Sequence, residues 1–234
     1  MPLRRLLVNS ISALLFAASA VCPSALAHAD VISWTNWSTA SSGNPGSASG
    51  TAGTITVTYS GQTSGLTNVP SWTPASTFTG GAVGNAPPHT PTIQLEGGSM
   101  LTETIMFSST VVDPIFAIWS LGAPSAPATF DFSSKSGQPF DLLGGGPSTE
   151  FGGSALTATG SVVHGSEGNG LVQFTGSFDS ITFTTPNFEN YYAFTVGYDQ
   201  TLTGGGTVPE PATLSLFGFG LAALPLVRRS LSRR

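Results

Sequence analysis

Thr54-Ile55-Thr56-Val57-Thr58-Tyr59 alternates strictly between threonine and an apolar side chain, and this stretch decides the class of the fold. Successive side chains of a β-strand point to opposite faces of a sheet. The alternation therefore predicts a strand whose Ile55, Val57 and Tyr59 face a core while the threonines face water.

Other stretches of the chain follow the same two-residue period. The run 178–184 places Ile181 and Phe183 on one face. The run 115–119 is apolar on both faces, which predicts a central strand that is covered on both sides. Another face consists of Tyr192, Phe194, Val196 and Tyr198, and further strand candidates lie at 31–37, 92–95, 101–107, 128–132, 140–143, 155–163 and 171–175.

Clusters of glycine, serine and proline separate the strand candidates, as at 41–53 and 144–148, and such clusters predict turns. Residues 30–203 show no helical periodicity of useful length. About ten short strands predict an all-β domain at 30–203, an antiparallel β-sandwich that is jelly-roll-like rather than immunoglobulin-like. No repeat recurs at a fixed period, which argues against a propeller or a solenoid.

Charge is scarce and unevenly placed. Only 8% of the residues are charged, against about 25% in a typical domain. Between Asp30 and Val208 the single lysine, Lys135, stands against eleven carboxylates, so this stretch has a net charge of −10 with histidine neutral. Binding to nucleic acid requires clustered lysine and arginine. The composition therefore excludes a nucleic acid as partner.

The first 29 residues have the layout of a secretory signal peptide, with a signal helix. Arg4 and Arg5 precede a short apolar segment, and Ala27-His28-Ala29 supplies small residues for cleavage before Asp30. The chain's one cysteine, Cys22, lies inside this segment. After cleavage the protein would have no thiol, and hence neither a disulfide nor a thiolate metal site.

The C-terminal 27 residues combine a motif, an apolar span and a basic end. Pro209-Glu210-Pro211 follows the glycine-rich spacer 204–207, residues 212–227 are apolar, and four of the last seven residues are arginine. As a helix, 212–227 would be about 24 Å long, slightly less than the roughly 30 Å hydrocarbon core of a membrane. This pattern predicts a transmembrane helix with its basic end in the cytoplasm and the rest of the chain outside.

The order of Pro-Glu-Pro, short apolar span and arginine cluster resembles the PEP-CTERM sorting domain of Gram-negative bacteria. The resemblance implies processing by an exosortase, a membrane-embedded cysteine protease, with Pro209, Glu210 and Pro211 as its recognition residues. Residues 208–234 would then anchor the protein in the inner membrane transiently. The runs 113–122, 170–178 and 188–197 also resemble segments of other PEP-CTERM exported proteins, which implies a shared fold and no particular substrate.

No catalytic motif stands out in residues 30–203. His89 and His164 have no partner at metal-ligand spacing, and there is no Gly-x-Ser-x-Gly elbow for a serine nucleophile. Retaining and inverting glycosidases need two carboxyls about 5–10 Å apart. The candidates for such a pair are Glu96, Glu103, Asp113 and Glu150.

We expect no cofactor, although structural calcium is compatible with an acidic, turn-rich chain. Asp30, Asp179 and Asp199 are the first candidate ligands, without the regular spacing of a known calcium loop.

Carbohydrate binding is the sharpest functional hypothesis for the domain, because sugar rings stack on exposed aromatic side chains. The candidates for stacking are Trp34, Trp72 and Tyr191. Trp34 and Trp37 have opposite parity, so one extended strand would bury only one of them, and Trp72 lies in a proline-flanked loop that we expect to be exposed. The alternative is that these rings seal the core.

The sequence thus favours an exported, non-enzymatic protein of the cell envelope or the extracellular polysaccharide matrix, which it would bind or help to build. A lectin-like carbohydrate-binding module is the alternative, followed by an extracellular glycoside hydrolase.

Overall fold

The computed structural model describes residues 30–68, 72–133 and 138–202. Within these ranges the protein is all-β, with two single-turn 3-10 helices as its only helical elements. The predicted signal helix, the spacer 204–207 and the predicted transmembrane segment lie outside the described residues. The described part contains no helix that is both long and apolar enough to cross a membrane.

Thirteen strands follow one another along the described chain. They are β1 (Ile32–Trp34), β2 (Asn36–Ser41), β3 (Gly43–Ala52), β4 (Ile55–Thr63), β5 (Gly65–Thr67), β6 (Thr92–Val112), β7 (Ile115–Leu121), β8 (Ala128–Asp131), β9 (Phe140–Pro147), β10 (Thr157–Thr159), β11 (Val162–Gly165), β12 (Gly168–Phe174) and β13 (Ser177–Asp199). The 3-10 turns are Ala75–Thr77 and Gln200–Leu202.

Two long strands, β6 and β13, organise the hydrogen bonding. They pair with each other, and four register shifts interrupt this ladder. The first part of β13 is flanked by β8 and β6, and β4, β3 and β2 continue the order beyond β6. The last part of β13 pairs with β7 and β1, and β12 and β9 follow β7. Every ladder between these strands is antiparallel, so the predicted all-β antiparallel fold is confirmed, and its jelly-roll topology stays a prediction.

The larger core is rich in phenylalanine and lies between strands from both ends of β13. In this core the ring centroid of Phe116 of β7 lies 5.4–5.7 Å from those of four other phenylalanines. Two of these four, Phe183 and Phe194, belong to opposite ends of β13. Aromatic pairs add about 0.5–1.5 kcal/mol each beyond the burial of their area. These contacts therefore tie the two groups of strands together.

A second, smaller core covers the other face of β7 and contains Trp34, Trp72, Phe78 and Trp119. All seven residues of β7 are buried. The predicted central strand at 115–119 is thereby confirmed, and so is the inward face of Ile55, Val57 and Tyr59.

The sequence-based turn predictions were partly wrong. Residues 43–52, expected to form a turn, are the ten-residue strand β3, and β9 continues through the glycines to Pro147. Glycine and serine have low strand propensity, but β3 lies between β2 and β4 and is hydrogen-bonded on both sides. Pairing on both sides outweighs local preference here. The candidates 92–95 and 101–107 are parts of one strand, β6.

Candidate functional site

Two of the predicted stacking residues are buried. Trp34 is 7% exposed and donates a hydrogen bond from Nε1 to the backbone oxygen of Asn85 over 3.1 Å. Trp72 is 4% exposed and packs edge-to-face on Phe78, with 5.0 Å between ring centroids. The expected exposure of Trp72 is wrong, because its loop closes over the second core. Neither indole presents a ring face to solvent.

Trp37 is buried as well as Trp34, contrary to the expectation that only one of them faces a core. The two indoles do point to opposite faces, as their parity predicts. Trp37 packs in the larger core and Trp34 in the smaller one. Both indoles are buried because this region of the protein is covered on both faces, by the larger core on one side and the smaller core on the other.

Tyr191, the third predicted aromatic, is half-buried on β13. Its hydroxyl lies 2.7 Å from Oγ1 of Thr67, and its ring stands edge-on to Trp119 with centroids 5.3 Å apart. Phe151, which is 55% exposed, lies against Trp119 as well, at 5.8 Å. Tyr191 and Phe151 therefore form an accessible aromatic edge over a fully buried tryptophan.

A polar cluster lies beside this aromatic edge and consists of Ser120, Glu167, Asn169 and Glu189; we call it the Glu189 cluster. The backbone N–H of Ser120 donates to Oδ1 of Asn169 over 2.7 Å. The Ser120 hydroxyl donates to Glu167 over 2.5 Å. Ser120 has a φ of +54°, a value that costs energy for a residue other than glycine and that recurs at functional sites.

Glu189 is buried and is held by a backbone hydrogen bond. Its Oε1 accepts the backbone N–H of Tyr191 over 2.9 Å, and its side chain is 7% exposed. Burial raises the pKa of Glu189, the neighbouring Glu167 carboxylate raises it further, and backbone N–H groups, chiefly that of Tyr191, oppose the shift. All seven lysines and arginines of the chain lie outside the described residues, so no Lys or Arg of the described part neutralises this pair of carboxyls.

Several buried polar atoms near this site have no hydrogen-bond partner within the described ranges. They include Nδ2 of Asn169, Oε2 of Glu189 and Nε1 of Trp119. Leaving a buried donor or acceptor unpaired costs about 1–3 kcal/mol, so such atoms normally bind water or a polar ligand. All three atoms are buried, so a molecule bound at the surface would contact the aromatic edge and would not contact these atoms directly.

Sequence reasoning missed Glu167, Asn169 and Glu189. They come from the start of β12 and the middle of β13, and no motif spacing connects them. The pairing of β7 with both β12 and β13 brings them together. The one signal in the sequence for this cluster was Tyr191, which lies two residues from Glu189.

The four predicted catalytic carboxyls belong to separate local networks. Glu96 accepts a hydrogen bond from Ser64 over 2.9 Å, and Asp113 accepts the backbone N–H of Gly176 over 2.6 Å. Glu150 accepts from the hydroxyl of Ser148 over 3.1 Å. No hydrogen bond joins one of these carboxyls to another among those described, and the hydrolase hypothesis gains no support from them.

Glu103 differs from the other three because its side chain is fully buried on β6. Its carboxyl makes short hydrogen bonds with the hydroxyls of Tyr59 and Thr185. Burial raises the pKa of Glu103 to about 7, and these two hydrogen bonds oppose the rise. The Tyr59 hydroxyl also lies 2.6 Å from the backbone oxygen of Gln62, to which it donates. Burial likewise raises the pKa of Tyr59 well above its usual value.

The predicted calcium ligands are also dispersed. Asp179 accepts a short hydrogen bond from Thr110, and Asp199 accepts from the backbone N–H of Thr201 over 2.8 Å. The backbone of Asp30 bridges to Val83. Within 30–68, 72–133 and 138–202, no three His, Cys, Asp or Glu side chains form a group that could hold a metal ion. Structural calcium remains an expectation from composition.

Comparison with known proteins identifies the tail. The family model of the PEP-CTERM protein-sorting motif matches residues 207–234, which confirms the resemblance drawn from the sequence and includes Pro209, Glu210 and Pro211. The chain therefore carries the sorting signal of an exported protein that an exosortase, a membrane enzyme, processes. No curated protein and no solved structure matches the chain.

Proposed function

We propose that this protein is a non-enzymatic component of the cell envelope or the extracellular polysaccharide matrix. The PEP-CTERM motif at 207–234 is the main support for this proposal, because it is a signal for export and for processing at the membrane. The acidic, uniformly β-structured domain between the two ends supports it. In this proposal residues 1–29 direct export, 212–227 anchor the chain until processing, and the domain remains outside.

We further propose a β-sandwich for the domain, with the jelly-roll-like arrangement expected from the sequence. The contact of Phe130 of β8 with Phe194 of β13, at 5.7 Å between centroids, supports face-to-face packing of the two strand groups. So does the contact of Phe116 of β7 with Phe183 of the first part of β13, at 5.7 Å between centroids. An experimental structure in which these rings are not in contact would contradict this arrangement.

The test of sorting uses C-terminal mass spectrometry on protein isolated from cells, envelope and medium. We expect mature protein without peptides from 212–234. A variant in which Pro209, Glu210 and Pro211 are all alanine should keep the tail and stay in the inner membrane. Wild-type protein that keeps the tail in the mature form would contradict processing.

A lectin-like role is the second candidate, and the Glu189 cluster favours it. Tyr191 and Phe151 supply an accessible aromatic edge on which a sugar ring would stack, and the polar cluster lies beside it. A glycan array with the full chain tests this role. Tyr191→Ala should weaken any binding by about two- to tenfold, as expected for the loss of an aromatic contact worth about 0.5–1.5 kcal/mol.

Phe188→Ala is the matched control for Tyr191→Ala, since Phe188 lies three residues away on the same strand and is 61% exposed. It should leave glycan binding unchanged. Trp72→Ala is unsuitable as a test, because Trp72 is buried and its truncation would disturb the second core. Binding that survives Tyr191→Ala and Glu189→Gln would exclude the cluster as the site.

A further inference from the structure

A second surface of the domain is built almost entirely of hydroxyl groups. The outward side chains of β2, β3 and β4 line an open groove of about 520 Å³. We call this surface the hydroxyl groove; its side chains are Thr39, Ser41, Ser47, Ser49, Thr58 and Ser60. On the inner side of the same strands, Ala48 and Tyr59 are buried in the larger core, so the groove rests on a fixed base.

The hydroxyls of the groove form two rows across the strands. Thr39, Ser49 and Thr58 lie opposite one another in one row. Ser41, Ser47 and Ser60 lie opposite one another in the other row. Neighbouring strands are roughly 4.8 Å apart, and residues two apart along a strand are roughly 6.8 Å apart. The groove therefore presents hydroxyls at a regular spacing in two directions.

The first row continues onto β6 with an apolar side chain. Met106 pairs with Thr58 and is 56% exposed. A thioether side chain is flexible and polarizable, and it adapts to irregular apolar surfaces. The row thus ends in an apolar platform beside the hydroxyls, an arrangement suited to a ligand that has both hydroxyl groups and C–H faces.

The hydroxyl groove carries no charge, and this limits the classes of molecule that could bind it. None of its side chains is ionisable apart from the inward-facing Tyr59, although residues 30–208 carry eleven carboxylates. A polyanion or a basic peptide would find no opposite charge there. A protein partner would need the aromatic and apolar centre that is typical of protein interfaces, and Met106 alone does not supply it. Each hydroxyl both donates and accepts, as the hydroxyls of a neutral sugar do.

We propose that the hydroxyl groove binds one strand of a neutral polysaccharide. The regular rows fit a polymer whose units repeat, and Met106 packs against the C–H face of one sugar unit. This inference rests on the proposed matrix function and names the ligand class and the surface that this function would use. It is independent of the Glu189 cluster, which lies on β7, β12 and β13.

The experiment is native affinity electrophoresis of the detergent-solubilised full chain. The gels contain dextran, a neutral glucan; carboxymethyl cellulose, an anionic one; or neutral polysaccharide isolated from the producing cells. We expect retardation by at least one neutral polymer and none by the anionic polymer. The groove variant Ser47→Ala/Thr58→Ala/Ser60→Ala should raise the apparent dissociation constant by about tenfold or more, since three hydrogen bonds are lost.

The control variant Thr102→Ala/Ser109→Ala/Thr157→Ala removes three exposed hydroxyls outside the groove. It should be retarded like the wild type. Unchanged retardation of the groove variant, equal loss in the control, or no retardation of the wild type by any neutral polymer would each overturn the proposal. If the groove variant no longer melts cooperatively, Met106→Ser, an exposed single change, must show weaker retardation instead.

Sorting is measured separately, by the tail peptides and the location of the protein. Protein that is correctly processed and exported but is not retarded would contradict the groove alone. Protein that stays in the inner membrane with its tail would contradict the proposed function, whatever its behaviour in the gels.

Discussion

The buried carboxyl of Glu103 makes the stability of this protein depend on pH in an unusual direction. Its pKa rises from 4.5 to about 7 on folding, chiefly because of burial. Between these two values the folded protein holds a proton that the unfolded chain has released. Unfolding then releases a proton, so raising the pH favours the unfolded state.

The magnitude follows from the size of the shift. A difference of 2.5 pKa units at 1.36 kcal/mol per unit corresponds to about 3 kcal/mol. This stability is fully present below about pH 4.5 and is lost as the pH rises to about 7, after which it stays constant. The protonated carboxyl of Glu103 fits its surroundings. It accepts a hydrogen bond from the Thr185 hydroxyl and donates one to the Tyr59 hydroxyl, which in turn donates to the backbone carbonyl of Gln62.

The perturbation is Glu103→Gln, which keeps the shape of the side chain and removes its proton equilibrium. We expect the variant to match the wild type within about 1 kcal/mol at pH 4.5, because one neutral hydrogen-bonding group replaces another. At pH 8 it should be more stable than the wild type by about 3 kcal/mol. Substituting a buried native residue thus increases stability at neutral pH.

The assay is urea unfolding at intervals between pH 4.5 and 8, followed by the fluorescence of the buried tryptophans. The quantity compared is the difference in unfolding free energy between variant and wild type at each pH, which cancels contributions from other carboxyls. Glu96→Gln, on the same strand but half-buried, is the control for the chemical change. A difference for Glu103→Gln that does not vary with pH would refute the reasoning.

Two further predictions concern packing. Gly61→Ala should lower the unfolding free energy by about 1–3 kcal/mol. The added Cβ would come within 2.5 Å of the Tyr59 hydroxyl and 2.7 Å of Cγ of Glu103. A melting temperature equal to that of the wild type would contradict this prediction. Phe116→Ala should cost about 3–5 kcal/mol, because its ring contacts four others. Phe188→Ala, at an exposed position, should cost about 0.5 kcal/mol or less, and comparable losses in these two phenylalanine variants would contradict the packing role of Phe116 in the larger core.

Strong alternation and continuous apolar runs were sufficient to predict β4 and β7 and the residues that they bury. β3 was missed because its residues, mostly glycine, serine and alanine, favour turns when considered locally. Its pairing with two neighbours overrides that preference. Two predicted strands also merge into β6. This depends on its partner, since β6 stays paired with β13 across four register shifts.

In the candidate sites, too, some features follow from the local sequence and others depend on the pairing of distant strands. Tyr191 was recognised as an aromatic near the surface, but Glu167 and Glu189 acquire a role only when strands distant in sequence pair side by side. Among the predicted carboxyls, Glu103 and Glu96 lie seven residues apart on β6. Alternation within 101–107 places Glu103 on the face of Ile105 and Phe107, but it does not give the depth of burial. The strands packed over each position make Glu103 fully buried and leave Glu96 half-buried.

The sequence by itself determined the sorting signal of this protein and the class of its fold. A sorting motif is a contiguous run of residues, and strand periodicity is a local property of the chain, so neither requires knowledge of distant contacts. Only the tertiary structure decided which tryptophans are buried, which carboxyl changes its pKa, and which hydroxyls lie in rows across the strands. Burial and cross-strand register depend on residues far away in sequence, and no local pattern specifies them.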